Sequence, residues 1–253
     1  MSEDEATIPI TVITGFLGSG KTTLLSKLLR HPGMDKAAVI INEFGEVGLD
    51  HELVESAKEE PILMESGCLC CTLRTDLVET LHDLFGRRAR GEVQAYDRVV
   101  IETTGLADPA PIVHTLIADP LIGRCFHLDS VVATVDAANG GATLDAHEES
   151  VRQAAVADRL LVTKTDIAKP EAISALDERL NAINPGADRF KVIEGEIDPK
   201  LLFGAGLYDP KTKTADVQRW LNEEAYADDQ DQGHAHDHGH DHGHDHHHHG
   251  HDH

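Results

Sequence analysis

Apolar residues in this chain fall into two spacings. Short, nearly unbroken runs occur at Ile8–Thr14, Ala37–Asn42, Ile62–Met64, Arg98–Glu102, Ser130–Asp136, Arg159–Thr163 and Phe190–Ile193. Runs of that length and continuity read as strands buried on both faces. Between them, at Thr22–Arg30, Leu73–Arg88, Pro109–Ala118, Ala146–Ala157 and Glu171–Ile183, apolar positions recur every three or four residues, as on the buried stripe of a helix. Strands alternating with helices predict an α/β fold: a doubly wound, mostly parallel sheet with helices on both faces. The punctuation agrees. Asp108-Pro109 is a helix start, an N-cap followed by proline at the first helical position, and Asn184-Pro185-Gly186 is a helix stop.

The pattern fails after Tyr226, where apolar residues nearly vanish. Residues 234–253 read HAHDHGHDHGHDHHHHGHDH and hold 12 of the 18 histidines. Such a segment has no apolar surface to bury and is expected to be disordered without metal. The chain therefore divides into a folded domain, 1–227, and a His/Asp/Gly-rich tail, 228–253.

Composition narrows the class. Aromatics are only 4% of residues, so Ala, Val, Ile and Leu must supply the core. The formal net charge is −23, and residues 1–227 alone carry 22 Lys and Arg against 38 Asp and Glu. Nucleic acid and anionic membranes are poor partners for such a surface. The acidic start, MSEDEAT, lacks the apolar core of a secretory signal, and no run is long enough to span a bilayer, so a cytoplasmic location is expected. The four cysteines are then expected as thiols, with solitary Cys125 a buried structural one.

The chemistry begins where the first strand meets the first helix. Gly15-x-x-x-x-Gly20-Lys21-Thr22 lies between them and has the spacing of a phosphate-binding P-loop. Glycines let backbone N–H groups converge on phosphate oxygens, and the following helix N-terminus adds positive potential. Lys21 is expected to reach the β- and γ-phosphates and Thr22 to offer its hydroxyl to Mg2+. A second signal, Thr163-Lys164-Thr165-Asp166, follows the strand at Arg159. A carboxylate there can accept from guanine N1–H and its exocyclic amine. Adenine would leave it unpaired, so GTP is the expected nucleotide. Glu102, at another strand end in Glu102-Thr103-Thr104-Gly105, is placed to hold Mg2+ through water or to orient the attacking water, and Gly105 to admit the γ-phosphate. The loop from Asn42-Glu43 suits a γ-phosphate sensor.

Cys68, Cys70 and Cys71 crowd three thiols into four residues just ahead of a helix. Thiolates favour zinc, cobalt or copper(I), and a helix N-terminus helps create them. The fourth ligand must come from elsewhere: Glu43, a water or a histidine. Redox activity of the Cys68/Cys71 pair, or plain core packing, are the alternatives. The tail histidines (His234, His236, His238, His240, His242, His244, His246, His247, His248, His249, His251 and His253) are interleaved with Asp and Gly, unlike an uninterrupted six-residue affinity tag. They read as a native metal-binding segment for zinc, nickel, cobalt or copper.

GFLGSGKTT, INEFGEVGLD, ESGCLCC, ETTGLADP and TKTD, in this order, resemble the CobW-type family of GTPase metallochaperones, related to the urease- and hydrogenase-maturation GTPases. The resemblance covers residues 8 to 225. It implies a GTPase that carries a transition metal, zinc or cobalt foremost and Ni2+ among the alternatives, to a client apoprotein. By position, Gly15, Gly18, Ser19, Gly20, Lys21, Thr22 and Thr23 hold phosphates and Mg2+. Cys68, Cys70 and Cys71 form the metal motif, and Thr163, Lys164 and Asp166 face the base. Thr163 stands where the family usually has Asn, and relatives commonly continue past a His-rich stretch into a small C-terminal domain. A homodimer is the assembly to test. The rival functions are a passive metal buffer with a weakly active core and a small-molecule P-loop kinase.

Overall fold

A computed structural model describes residues 7–41, 62–65, 73–204 and 206–221. Its strands are β1 (Ile8–Gly15), β2 (Ala37–Ile41), β3 (Ile62–Glu65), β4 (Arg98–Glu102), β5 (Phe126–Asp136), β6 (Arg159–Thr163) and β7 (Asp188–Val192). They form one sheet in the order β3-β2-β4-β1-β5-β6-β7, and each neighbouring pair is parallel. The helices are α1 (Lys21–Leu29), α2 (Leu73–Ala89), α3 (Ala110–Ala118), α4 (Ile122–Cys125), α5 (Gly140–Ala146), α6 (Glu148–Val156) and α7 (Pro170–Ile183).

Side-chain alternation along the strands sorts the helices into two layers. Ile13, Val39, Val100, Val132 and Leu161 pack with Leu24, Leu25 and Leu28 of α1. The neighbouring strand positions Val12, Ile40, Ile101 and Val131 face the other way, onto α2 and α3. On that second face Ala133, Val135 and Val162 meet α5, α6 and α7. From β1 the chain moves to β2 on one side of the sheet. It later returns through β4 and crosses to β5 on the other side. The reversal leaves a crevice at the C-terminal ends of β1 and β5, where ligands of such sheets bind.

Three expectations need correction. β5 starts at Phe126, earlier than Ser130, because the β1–β5 register shifts between Ile10 and Thr11 and polar Asp129 interrupts the apolar run. The Asp129 carboxylate is not solvated. It accepts from the Gly204 and Gly206 amides at 2.8 and 3.2 Å. The helix expected over Ala146–Ala157 is α6, Glu148–Val156, and ahead of it, across His147 with an extended ψ of 114°, stands a second helix, α5, that the pattern did not show. Cys125 is half-buried, ends α4 and packs against the core, and burial pushes its thiol up.

The end signals hold. The Asp108 carboxylate accepts the Ala110 amide at 2.9 Å at the start of α3. α7 ends at Ile183, and the Asn184 amide nitrogen donates to the carbonyls of Ala154, Ala155 and Ala157 at 2.8–3.0 Å. One residue thus stops α7 and satisfies the otherwise orphaned C-terminal carbonyls of α6.

Candidate nucleotide site

Three glycines of the loop after β1 adopt positive φ: Gly15 at 138°, Gly18 at 70° and Gly20 at 97°. At Gly15 a Cβ would also lie 2.5 Å from the Thr134 carbonyl oxygen of β5, so both conformation and space require glycine. The loop is braced from β5: the Ser19 and Thr134 hydroxyls lie 2.6 Å apart, and the Thr134 hydroxyl reaches the Thr14 carbonyl at 3.3 Å. The buried Lys21 ammonium donates to the Gly15 and Phe16 carbonyls at 2.7 and 3.2 Å. That holds the charge at the mouth of the loop. Thr22 and Thr23, on the first turn of α1, are exposed. The Phe16 ring stacks on His147 with centroids 4.4 Å apart.

The second motif is fastened onto this loop. The Thr163 hydroxyl donates to the Ser19 carbonyl at 2.7 Å. Lys164 takes φ 56°, and its ammonium donates to the Gly18 carbonyl at 2.7 Å and to the Asp136 carboxylate at 2.8 Å. Asp136 also accepts from the Ala138 and Asn139 amides and the Asn139 side chain. Burial alone would raise the Asp136 carboxyl. Hydrogen bonds from Lys164, Asn139 and Ala138, with the charge of Lys164, outweigh it and hold the carboxyl below its usual range. Asp166 is exposed two residues on. Beyond β7, a Cβ on Gly195 would sit 2.8 Å from the Thr23 carbonyl oxygen, so that loop abuts the first turn of α1.

Glu102 is buried at the end of β4, in register with Ile13 of β1. Thr103 follows it, bonding its amide to the Ile13 carbonyl and its hydroxyl to the Thr14 hydroxyl, both at 2.9 Å. A Cβ on Gly105 would lie 2.7 Å from the Leu17 amide nitrogen, so this loop lies directly against the P-loop backbone. The Thr22 hydroxyl and the Glu102 carboxylate are hard oxygen donors at the same sheet end, a set that suits Mg2+.

Sequence reasoning missed the residues that brace the motifs. Thr134, Asp136, Asn139 and Gln153 all serve the P-loop or its neighbours, and of these only Asp136, an acid at a strand end, carried a readable signal. The crevice between the P-loop, β5, α5 and α6 holds a cavity of about 290 Å3, bounded by Leu17, Thr134, Val135, Leu144, Gln153 and Lys164. Glu43, Cys68, Cys70, Cys71 and the tail histidines His234 to His253 lie outside the described residues. Among the described residues no three His, Cys, Asp or Glu side chains are grouped to hold a metal, and no helix is long and apolar enough to cross a membrane.

The family model of the CobW/HypB/UreG nucleotide-binding domain matches residues 9–191, which hold both the P-loop and the TKTD turn fastened to it. The chain belongs to the CobW/HypB/UreG family. It is 42% identical over 196 residues to the zinc chaperone YjiA of Escherichia coli, covering 78% of this chain and 61% of that protein. It is 33% identical over 198 residues to the zinc-regulated GTPase metalloprotein activator 1 of Schizosaccharomyces pombe, covering 76% and 47%. The chain thus spans about half to three-fifths of the length of these relatives. The crystal structure of Zn(II)-bound YjiA GTPase from E. coli superposes with a TM-score of 0.66 at 34% identity, covering 85% of this chain and 69% of that one. The nickel complex of HypB from Helicobacter pylori, at 16% identity and a TM-score of 0.53, shares the fold.

Proposed function

We propose that the chain is a GTP-hydrolysing metallochaperone of the cytoplasm that binds a transition metal at Cys68, Cys70 and Cys71 and passes it to a client apoprotein under nucleotide control. The observation that carries the nucleotide part is the pair of 2.7 Å bonds from Thr163 and Lys164 to consecutive P-loop carbonyls. They set the base-reading turn at a fixed distance from the phosphate cradle. Asp166, exposed beside that turn, is the acceptor for guanine. The P-loop amides, Lys21 and the N-terminus of α1 hold the phosphates, and Thr22 and Glu102 are the residues for Mg2+, which when bound neutralises charge on the transferring phosphoryl group. Gly105, pressed against the P-loop, is the residue that would let this loop's backbone approach the γ-phosphate.

The metal part rests on chain topology. Ile41 of β2 is in register with both Glu65 of β3 and Glu102 of β4. The segment carrying Glu43, the segment carrying the cysteines and the Glu102 loop therefore leave the sheet from one level. Two residues, Ser66 and Gly67, separate Glu65 from Cys68, so three Cα-to-Cα steps give a reach of about 11 Å. GTP ordering these segments together would bring Glu43 and the thiolates onto one ion, and hydrolysis would release it. Zinc is favoured because the relatives at 42% and 33% identity are named for zinc, with cobalt the alternative. The His-rich tail, 228–253, would act as a separate, weaker collector beside the 1–227 domain.

The deciding experiment is a zinc titration against a competing chelator in the apo, GDP and non-hydrolysable GTP-analogue forms, with Cys70→Ala as control. The expected result is tighter zinc binding with the analogue by roughly 5- to 150-fold, a coupling of about 1–3 kcal/mol. Equal affinity in all three states would leave two unconnected activities on one chain.

A further inference from the structure

We propose that Gln153 of α6 is a positioning residue for the γ-phosphate loop, and that α6 carries the state of that loop to Trp220. The proposal rests on the GTPase reading above. Gln153 is 1% exposed, and its amide nitrogen donates to the carbonyls of Gly105 and Ala107 at 3.1 and 3.0 Å. Those two bonds straddle Leu106 and hold the loop after Glu102 from behind, while Gly105 touches the P-loop at Leu17 in front. The loop is therefore gripped on both sides. With both amide hydrogens directed at the loop carbonyls, the side-chain oxygen of Gln153 is buried without a hydrogen-bond partner among the described residues. Leaving an amide oxygen buried and unpaired costs about 1–3 kcal/mol, which offsets much of what the two donated bonds contribute to stability. The donor end supplies what an apolar residue lacks, a fixed path for the loop backbone.

The preceding residue makes the second contact. Arg152 donates to the Asp108 carboxylate at 2.6 Å, at the far end of the same loop, and to Glu148 at 2.7 Å. Its guanidinium lies over the Trp220 ring, 5.2 Å from the centroid. Trp220 is the only tryptophan of the chain and lies in the helical stretch 215–221, ahead of the His-rich tail. Any shift of the Gly105–Asp108 segment must either stretch the Gln153 bonds or move α6. A moving α6 carries Arg152 with it, and a shift of Asp108 pulls on its ion pair with Arg152, so either change alters the cation facing the indole. Emission from Trp220 is therefore an intrinsic reporter of the γ-phosphate loop.

The test uses the full chain. Wild type is expected to show different Trp220 emission with GDP and with a non-hydrolysable GTP analogue. Gln153→Met, of similar length and without a donor, should lower kcat for GTP at least tenfold while KM stays within threefold, and should lose the emission difference. Gln153→Glu, which turns an acceptor toward two carbonyls, should fall at least as far. Folding of each variant is read from its far-UV spectrum and melting curve. Should Gln153→Met not fold, the wild-type emission comparison still decides, since identical spectra in the two nucleotide states overturn the proposal. A folded Gln153→Met or Gln153→Glu with wild-type kcat also overturns it. A wild type without GTP turnover would instead refute the GTPase reading.

Discussion

The Thr163 hydroxyl, at the end of β6, donates to the backbone carbonyl of Ser19 in the P-loop at 2.7 Å. That hydroxyl braces the phosphate loop from the end of β6. Thr163→Val keeps the shape and leaves the buried Ser19 carbonyl without this donor. It should lower unfolding stability by about 1 kcal/mol. Thr163→Ser, which keeps the hydroxyl, should retain nucleotide affinity. Denaturant unfolding and nucleotide titration of the two variants check this.

Two P-loop glycines should respond very differently to alanine. Gly15→Ala places a Cβ against β5 backbone at positive φ, and the oxygen it meets cannot turn away. A loss of about 3 kcal/mol or more is expected. Gly18→Ala meets nothing within 4 Å and bears only the left-handed backbone cost, about 1–2 kcal/mol. Thermal melts of both variants would reveal the contrast. Equal losses would show that the crowding at Gly15 is not what fixes it.

Asp136 makes stability depend on acid. Its native carboxyl is held below the unfolded value of about 3.9, so its contribution is fully present above that pH. It is lost as pH falls further, through the depressed native value. Asp136→Asn should be less stable than wild type from pH 7 to 5, and the gap should close below about pH 3.9. Because Lys164 spans Asp136 and Gly18, the same variant should also weaken nucleotide binding at neutral pH.

Base selection should reside in Asp166 and turnover in Lys21. Asp166→Asn should lose roughly 10- to 100-fold in GTP affinity, the worth of a charge-assisted pair of bonds, without gaining ATP. Lys21→Ala should retain the fold and lose most hydrolysis. Undiminished hydrolysis, or equal wild-type affinity for ATP and GTP, would refute the respective assignment.

The tail offers a prediction by removal. Deleting residues 234–253 should reduce the number of zinc ions bound but spare the tightest site. Binding to the tail should fade as pH drops below the imidazole value of about 6.5. Loss of the tightest site with the tail would move the specific metal site away from the cysteines.

The sheet was legible because both its faces are buried: seven apolar runs with no alternation left little to choose but a parallel core. The motifs at its C-terminal edge were legible because glycine, lysine and carboxylate spacings there answer to phosphate and guanine chemistry. What was not legible was whatever depended on long-range pairing. Asp129 reads as a break in a strand until its carboxylate is seen to collect two amides more than seventy residues away. Asn184 reads as a stop signal, and only packing shows that it also closes α6. Gln153 lies in an ordinary helix sequence, and its two bonds to the loop after β4 leave no local trace. The Gly140-Gly141 pair concealed the start of α5 because glycine is a poor helix former.

The shared level of Ile41, Glu65 and Glu102 has a mechanical meaning. Adjacent strands are about 4.8 Å apart, so three anchor points stand in a row on a rigid ladder roughly 10 Å wide. A nucleotide cannot spread or narrow that row, because the hydrogen bonds of the sheet set its pitch. On the proposed function, the stroke of the metal-carrying segment must therefore come from the chain beyond each anchor, and the two residues between Glu65 and Cys68 are a short leash. Inserting a few flexible residues there should leave GTP turnover and metal binding each intact while the two fall out of step.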